Sequence, residues 1–118
     1  MPLNVCYVDD EPDLCEAFSD YFASDEVVVS TYTDHEAAIL AINQSHPDLV
    51  ILDFRLRGTT GDEVARQLAA DIPKVLITGD LAVASKFPFT KTLFKPYKIQ
   101  DVFTLLEEFS KAKKAKFA

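Results

Sequence analysis

The chain has 118 residues, 48% of them hydrophobic, and a formal net charge of -7. That length and apolar content fit one domain, residues 1–118, with material for a core. The acidic balance argues against direct nucleic-acid binding or membrane attachment through the body of the domain. No apolar run approaches membrane-spanning length, and Met1-Pro2-Leu3-Asn4 does not open a signal peptide. The two cysteines, Cys6 and Cys15, lack metal-ligand spacing and read as small packing residues in a reducing, cytoplasmic setting.

In chain order, Val5-Cys6-Tyr7-Val8 is a short apolar run, a first strand, ending in the acids Asp9-Asp10-Glu11. Pro12 suits the first turn of a helix, with Asp10 or Glu11 as its cap. Leu14, Ala17, Phe18, Tyr21 and Phe22 then form a helical stripe. Val27-Val28-Val29 begins a second strand that ends near Thr31-Tyr32. Asp34 caps a helix running to about Ser45, with Ala38, Ala41 and Ile42 inward, and Pro47-Asp48 interrupts the chain before the next strand.

Leu49-Val50-Ile51-Leu52 runs without a polar break into Asp53. Such a run reads as a strand buried on both faces, which puts Asp53 at its carboxyl end, where open α/β sheets place their ligand sites. Gly58 and Gly61 mark the loop that follows. Val64, Ala65, Leu68, Ala69 and Ile72 make the next helical stripe, closed by Pro73. Val75-Leu76-Ile77 is a fourth strand delivering Thr78-Gly79-Asp80. Leu81 to Lys86 leaves room for a short or irregular helix at most, because Pro88 follows. Thr92-Leu93-Phe94 is a fifth strand ending at Lys95-Pro96. Ile99, Val102, Phe103, Leu106 and Phe109 mark a last amphipathic helix, whose basic end, Lys111 to Lys116, reads as a solvated turn suited to the helix dipole.

Five strands alternating with helices predict a mostly parallel sheet covered on both faces. All strand ends then share one edge, which gathers Asp9, Asp10, Asp53, Thr78 and Lys95. Taken singly, each has an ordinary explanation as a cap, a turn residue or surface punctuation. Together they form an inventory. Three carboxylates resist joint ionisation, and a hard divalent cation relieves that conflict. Lys95 adds a positive point charge and Thr78 a hydroxyl donor. The set fits a site that holds a phosphoryl group beside a carboxylate nucleophile.

With these residues in place the chain resembles the response-regulator receiver domains (CheY-like) of two-component signalling. The resemblance rests on Asp9-Asp10 after the first strand, Asp53 with Gly61 eight residues on, Thr78-Gly79, and Lys95-Pro96. It implies a flavodoxin-like five-stranded parallel sheet in the order 2-1-3-4-5. It also implies that Asp53 accepts phosphate, and that Asp10, Asp53 and the Arg55 carbonyl bind Mg²⁺, with Asp9 joining through water. Thr78 would hydrogen-bond the phosphoryl oxygen, Lys95 would pair with it, and the Lys95-Pro96 peptide would be cis. The implied partners are a histidine kinase or histidine phosphotransfer protein and a downstream protein target of unknown identity.

Three positions depart from the family pattern. Arg57 stands where proline is common, Thr92 where an aromatic switch residue is common, and the segment between Thr78 and Lys95 is short. Phe94 or Tyr97 are the candidates to replace the missing switch aromatic. Phe87 and Phe89 read first as core; if exposed, they would serve a partner or a weak dimer. Arg55 and Asp80 would flank the site mouth, where a pair would obstruct attacking water.

Two other classes compete with the switch, which turns over no separate substrate. An aspartyl-phosphate phosphatase or phosphotransferase would place a second Asp two residues after the first, where this chain has Arg55. A pseudo-receiver would keep the fold as an interaction module without phosphorylation. An FMN-binding flavodoxin fits less well, since an acidic first loop repels a phosphate held without metal.

Overall fold

Every residue of the central strand is buried, and the rest of the fold is arranged on either side of it. The computed structural model describes residues 2–79 and 85–117. In order, the elements are β1 (Leu3–Val8), α1 (Pro12–Phe22), β2 (Val27–Tyr32), α2 (His35–Ser45), β3 (Leu49–Asp53), β4 (Arg55–Leu56), β5 (Thr59–Thr60), α3 (Gly61–Arg66), β6 (Lys74–Thr78), β7 (Lys91–Phe94) and α4 (Ile99–Phe117). The main sheet has the order β2-β1-β3-β6-β7, and all its neighbours pair in parallel. This is the expected 2-1-3-4-5 topology. The sequence reading did not foresee the small antiparallel hairpin of β4 and β5, which turns at Gly58 with a φ of 78°.

Alternation along each strand builds two cores. Val5, Tyr7, Leu49, Ile51, Val75 and Ile77 face α1 and α4, while Cys6, Val8, Val50 and Leu52 face α2 and α3. Successive strand residues point to opposite faces, so an apolar residue at every position feeds both layers. Each fully buried Val, Leu or Ile contributes about 1.5–3 kcal/mol relative to exposure.

Several expected details differ. On α1 the buried residues are Cys15, Phe18 and Phe22, while Leu14 and Tyr21 are 38% and 59% exposed. On α4, Leu105 is buried with Val102 and Leu106, while Ile99 and Phe103 are exposed. Glu11, one of the two expected caps, holds the cap position of α1 but makes no side-chain capping bond, and its own N–H donates to Asp9 Oδ1 at 3.0 Å. Asp34 does cap α2, accepting from the Ala37 N–H at 3.0 Å.

The third helix starts earlier and stops sooner than its stripe suggested. Thr60 caps it through the Glu63 N–H, and it ends at Arg66. Beyond it, side chains hold the backbone. Asn43 donates to the Gln67 carbonyl and accepts from the Ala69 N–H, and Lys74 Nζ donates to the Ala69 and Ile72 carbonyls. With those groups satisfied, Leu68 and Ile72 stay buried without further helix. Of the short helix expected over 81–86, residues 81–84 lie outside the described residues, and 85–90 carry neither helix nor strand. Phe87 and Phe89 are half-buried against the second core, their ring centroids 4.9 Å apart.

The basic end of α4 is only partly solvated. Lys113 folds back to donate to the Pro2 carbonyl at 2.7 Å and to Asp48 Oδ2 at 2.8 Å. No helix among the described residues is long and apolar enough to cross a membrane.

Candidate functional site

The carboxyl ends of β1, β3, β6 and β7 converge at one edge of the sheet. Parallel register does this directly: Asp53 lies opposite Ile77, and Thr78 opposite Phe94, so Lys95 follows one step beyond. Backbone bonds continue the ladder, from the Phe54 N–H to the Ile77 carbonyl and from the Lys95 N–H to the Thr78 carbonyl. Asp9, Asp53 and Thr78 are buried, and Asp10 is half-buried. One carboxylate oxygen from each of Asp9, Asp10 and Asp53 lies within 4.8 Å of the others.

Lys95 Nζ stands 3.2 Å from Asp53 Oδ1. A single ammonium does not balance three acids. Burial, followed by the charges of Asp9 and Asp10, pushes the Asp53 carboxyl above its ordinary range against the opposing pull of Lys95. A cavity of about 250 Å³ lined by Asp53, Arg55, Thr78, Gly79 and Lys95 opens beside this pair. The residues named from the sequence are therefore brought together, Arg55 at the cavity wall included. Asp80, the expected partner of Arg55, lies outside the described residues. The Lys95-Pro96 peptide is cis, as the resemblance implied.

Gly61 explains how closely α3 approaches. A Cβ there would come within 2.8 Å of the Asp53 carbonyl oxygen and 2.9 Å of Leu76 Cδ1. Only glycine lets the helix start directly beneath the acid. Of the two candidates for a switch aromatic, Phe94 is exposed, whereas Tyr97 is half-buried and packs on the first core beside Tyr7.

Two participants were missed in the sequence. Tyr7 donates its hydroxyl to Asp9 Oδ2 at 2.8 Å, while its ring stacks on Phe18 at 4.1 Å. Burial and the adjacent Asp9 hold that phenol well above its usual range, so it stays a donor. The signal was present, because residues i and i+2 of a strand share a face. Asp62, buried in the first turn of α3, accepts from the Ser85 hydroxyl and the Lys86 N–H. Nothing in the spacing marked that contact. Cys15 donates to the Asp9 carbonyl at 3.3 Å, and Cys6 is raised to about 11 by burial, so both thiols act as packing groups.

The donor set suits a hard cation. Its atoms are carboxylate oxygens with no imidazole or thiolate among them, they sit close enough to share an ion, and they carry more negative charge than Lys95 offsets.

Comparison with known proteins agrees with this fold. The family model of the response regulator receiver domain matches residues 5–107. The chain is 28% identical over 109 residues to the DNA-binding response regulator MtrA of Mycolicibacterium smegmatis, covering 86% of this chain and 48% of that protein. It is 30% identical over 109 residues to the probable transcriptional regulatory protein TcrX of Mycobacterium tuberculosis, covering 86% of this chain and 47% of that one. The chain thus spans about half the length of these relatives. With these relatives named as DNA-binding or transcriptional regulators, the expectation of no direct nucleic-acid partner is not borne out. Among solved structures, the signal receiver domain of a putative LuxO repressor protein from Vibrio parahaemolyticus superposes with a TM-score of 0.82 at 23% identity, covering 98% of this chain and 95% of that one. A CheY-like receiver domain from Methylobacillus flagellatus gives 0.80 at 20% identity, covering 92% and 99%.

Proposed function

The chain belongs to the response-regulator receiver family, and from that premise we propose that it is a phosphorylation-dependent switch whose acceptor is Asp53. The observation that carries this is the Asp53–Lys95 pair at 3.2 Å inside a cluster of three acids. A carboxylate oxygen of Asp53 attacks the phosphorus of a phosphohistidine on a kinase or phosphotransfer protein. The P–N bond breaks as the P–O bond forms, and the imidazole leaves with the electron pair. Asp53 becomes an acyl phosphate, and the Lys95 ammonium passes from the carboxylate to the new phosphoryl oxygens. The Thr78 hydroxyl donates to the same group from the facing strand end.

Asp10 and Asp53, with the Arg55 carbonyl, would hold Mg²⁺ and Asp9 would join through water; the ion would supply neutralisation of phosphoryl charge. The added charge biases a two-state surface through the Thr78 and Lys95 strand ends, and hydrolysis resets it. Such a switch works in the cytoplasm, where phosphohistidine donors of this signalling class act. Its output fits a transcriptional one, by analogy with relatives named as DNA-binding or transcriptional regulators.

The test is incubation with acetyl phosphate and Mg²⁺, followed by intact mass. A phosphate adduct is expected on wild type and none on Asp53→Asn. No adduct on wild type favours a pseudo-receiver; an adduct that survives the substitution moves the acceptor elsewhere. Sustained turnover of a small phosphate ester would revive the phosphatase reading.

A further inference from the structure

Asp9, alone of the three acids, is seen among the described residues with a protein donor on each carboxylate oxygen. Oδ1 accepts from the Glu11 N–H at 3.0 Å and Oδ2 from the Tyr7 hydroxyl at 2.8 Å. The second bond is the less expected. Tyr7 lies on β1 among residues that need only be apolar, and it is 2% exposed. Burying a hydroxyl costs free energy unless it is bonded, and the bond it makes is to Asp9. Its ring has little freedom to let go. It lies stacked on Phe18 at 4.1 Å and 6°, and Phe18 in turn packs on Phe22 at 4.7 Å. A rigid aromatic stack therefore holds a donor against an acid of the ion site.

Resting on the metal reading of that site, we propose that Tyr7 is a specificity-determining residue for the cation: by holding Asp9 Oδ2 it keeps Asp9 from direct coordination and so favours Mg²⁺ over Ca²⁺. The argument is one of ligand count. Mg²⁺ takes one or two carboxylates and keeps several waters, whereas Ca²⁺ takes six to eight oxygens in flexible geometry. With Asp9 held by Tyr7 and the Glu11 N–H, Asp10 and Asp53 are the two carboxylates left to coordinate. Release of Asp9 adds a third, and the larger ion gains more from it.

The experiment is direct titration of the full chain with Mg²⁺ alone and with Ca²⁺ alone, by calorimetry, for wild type, Tyr7→Phe, Asp9→Asn and the double variant. Tyr7→Phe keeps the ring and its stack, so the fold is retained. The expected result is a shift in the Mg²⁺/Ca²⁺ affinity ratio toward Ca²⁺ on Tyr7→Phe of about tenfold, the lower end of what loss of a partner to a ligand typically does to metal affinity. The same change made on the Asp9→Asn background leaves the ratio where it was, because the effect runs through Asp9. A ratio unmoved by Tyr7→Phe, or moved equally on the Asp9→Asn background, overturns the role of Tyr7 and leaves the ion site intact. Wild type that binds neither ion overturns both.

Discussion

Two aspartate–lysine pairs sit at opposite ends of β3, and they are built on opposite principles. At the start of the strand, Asp48 meets Lys113 at 2.8 Å, with side chains 27% and 13% exposed. At its end, Asp53 meets Lys95 at 3.2 Å, with side chains 11% and 35% exposed. Asp48 Oδ2 also accepts from the Asn4 N–H, and Lys113 also donates to the Pro2 carbonyl. These bonds tie the start of β1 to the residue before β3, and the end of α4 to both. Asp53 instead shares its surroundings with Asp9 and Asp10, two more acids than Lys95 pairs with directly. One edge of the sheet satisfies its charges; the other leaves an excess of negative charge where a ligand would bind. The same pair chemistry thus serves structure at one end and, on the function proposed above, would serve phosphoryl transfer at the other.

The comparison is disturbed most by crowding the Asp53 end. Gly61→Ala places a methyl carbon 2.8 Å from the Asp53 carbonyl, and backbone must move to accept it. The expected cost is about 2–3 kcal/mol in urea unfolding, together with slower phosphorylation by acetyl phosphate. Disturbing the other end is expected to cost less and to leave the chemistry alone. Lys113→Met keeps the aliphatic stem but removes two charge-assisted bonds, for a loss of about 1–2 kcal/mol. Its phosphorylation rate should match wild type. A slowed rate would mean that the two ends of β3 are coupled and that the contrast drawn above is too sharp.

The two ends also differ in how far the sequence revealed them. Asp9, Asp53, Thr78 and Lys95 each terminate an apolar run, so locating the strands located the acids and the lysine. The sheet order followed from alternation of strand and helix together with the resemblance. Lys113 carried no such mark. It is one of four lysines between Lys111 and Lys116, and its partners lie 65 and 111 residues away in the chain. The helix faces were misjudged for a related reason. Leu14, Phe18 and Tyr21 make as regular a stripe as Cys15, Phe18 and Phe22, and leucine is the more apolar choice at the start. The angle at which α1 meets the sheet selects between them, and that angle is a tertiary property. The early end of α3 likewise depends on Asn43 and Lys74, which reach it from other elements.

The smallest effect tests the electrostatic half of the contrast. Burial and the neighbouring acids raise the Asp53 pKa from its ordinary 3.8, so the folded chain holds that proton more tightly than the unfolded one. Between 3.8 and the raised value the folded state binds more protons, and stability falls as pH rises through that window. Above the window the full cost of ionised Asp53 is present; below 3.8 it is absent. Asp53→Asn has no such cost. It is expected to melt a few degrees higher than wild type at pH 7, about 1 kcal/mol, with the gap closing as the pH approaches 3.8. Paired thermal melts across that range measure it. Addition of Mg²⁺ at neutral pH should reverse the order, since wild type gains about 2.7 kcal/mol at a hundredfold excess over its Kd and the variant gains less. A gap that stays constant with pH would mean that Lys95 already balances Asp53, and that this end of the strand is as well satisfied as the other.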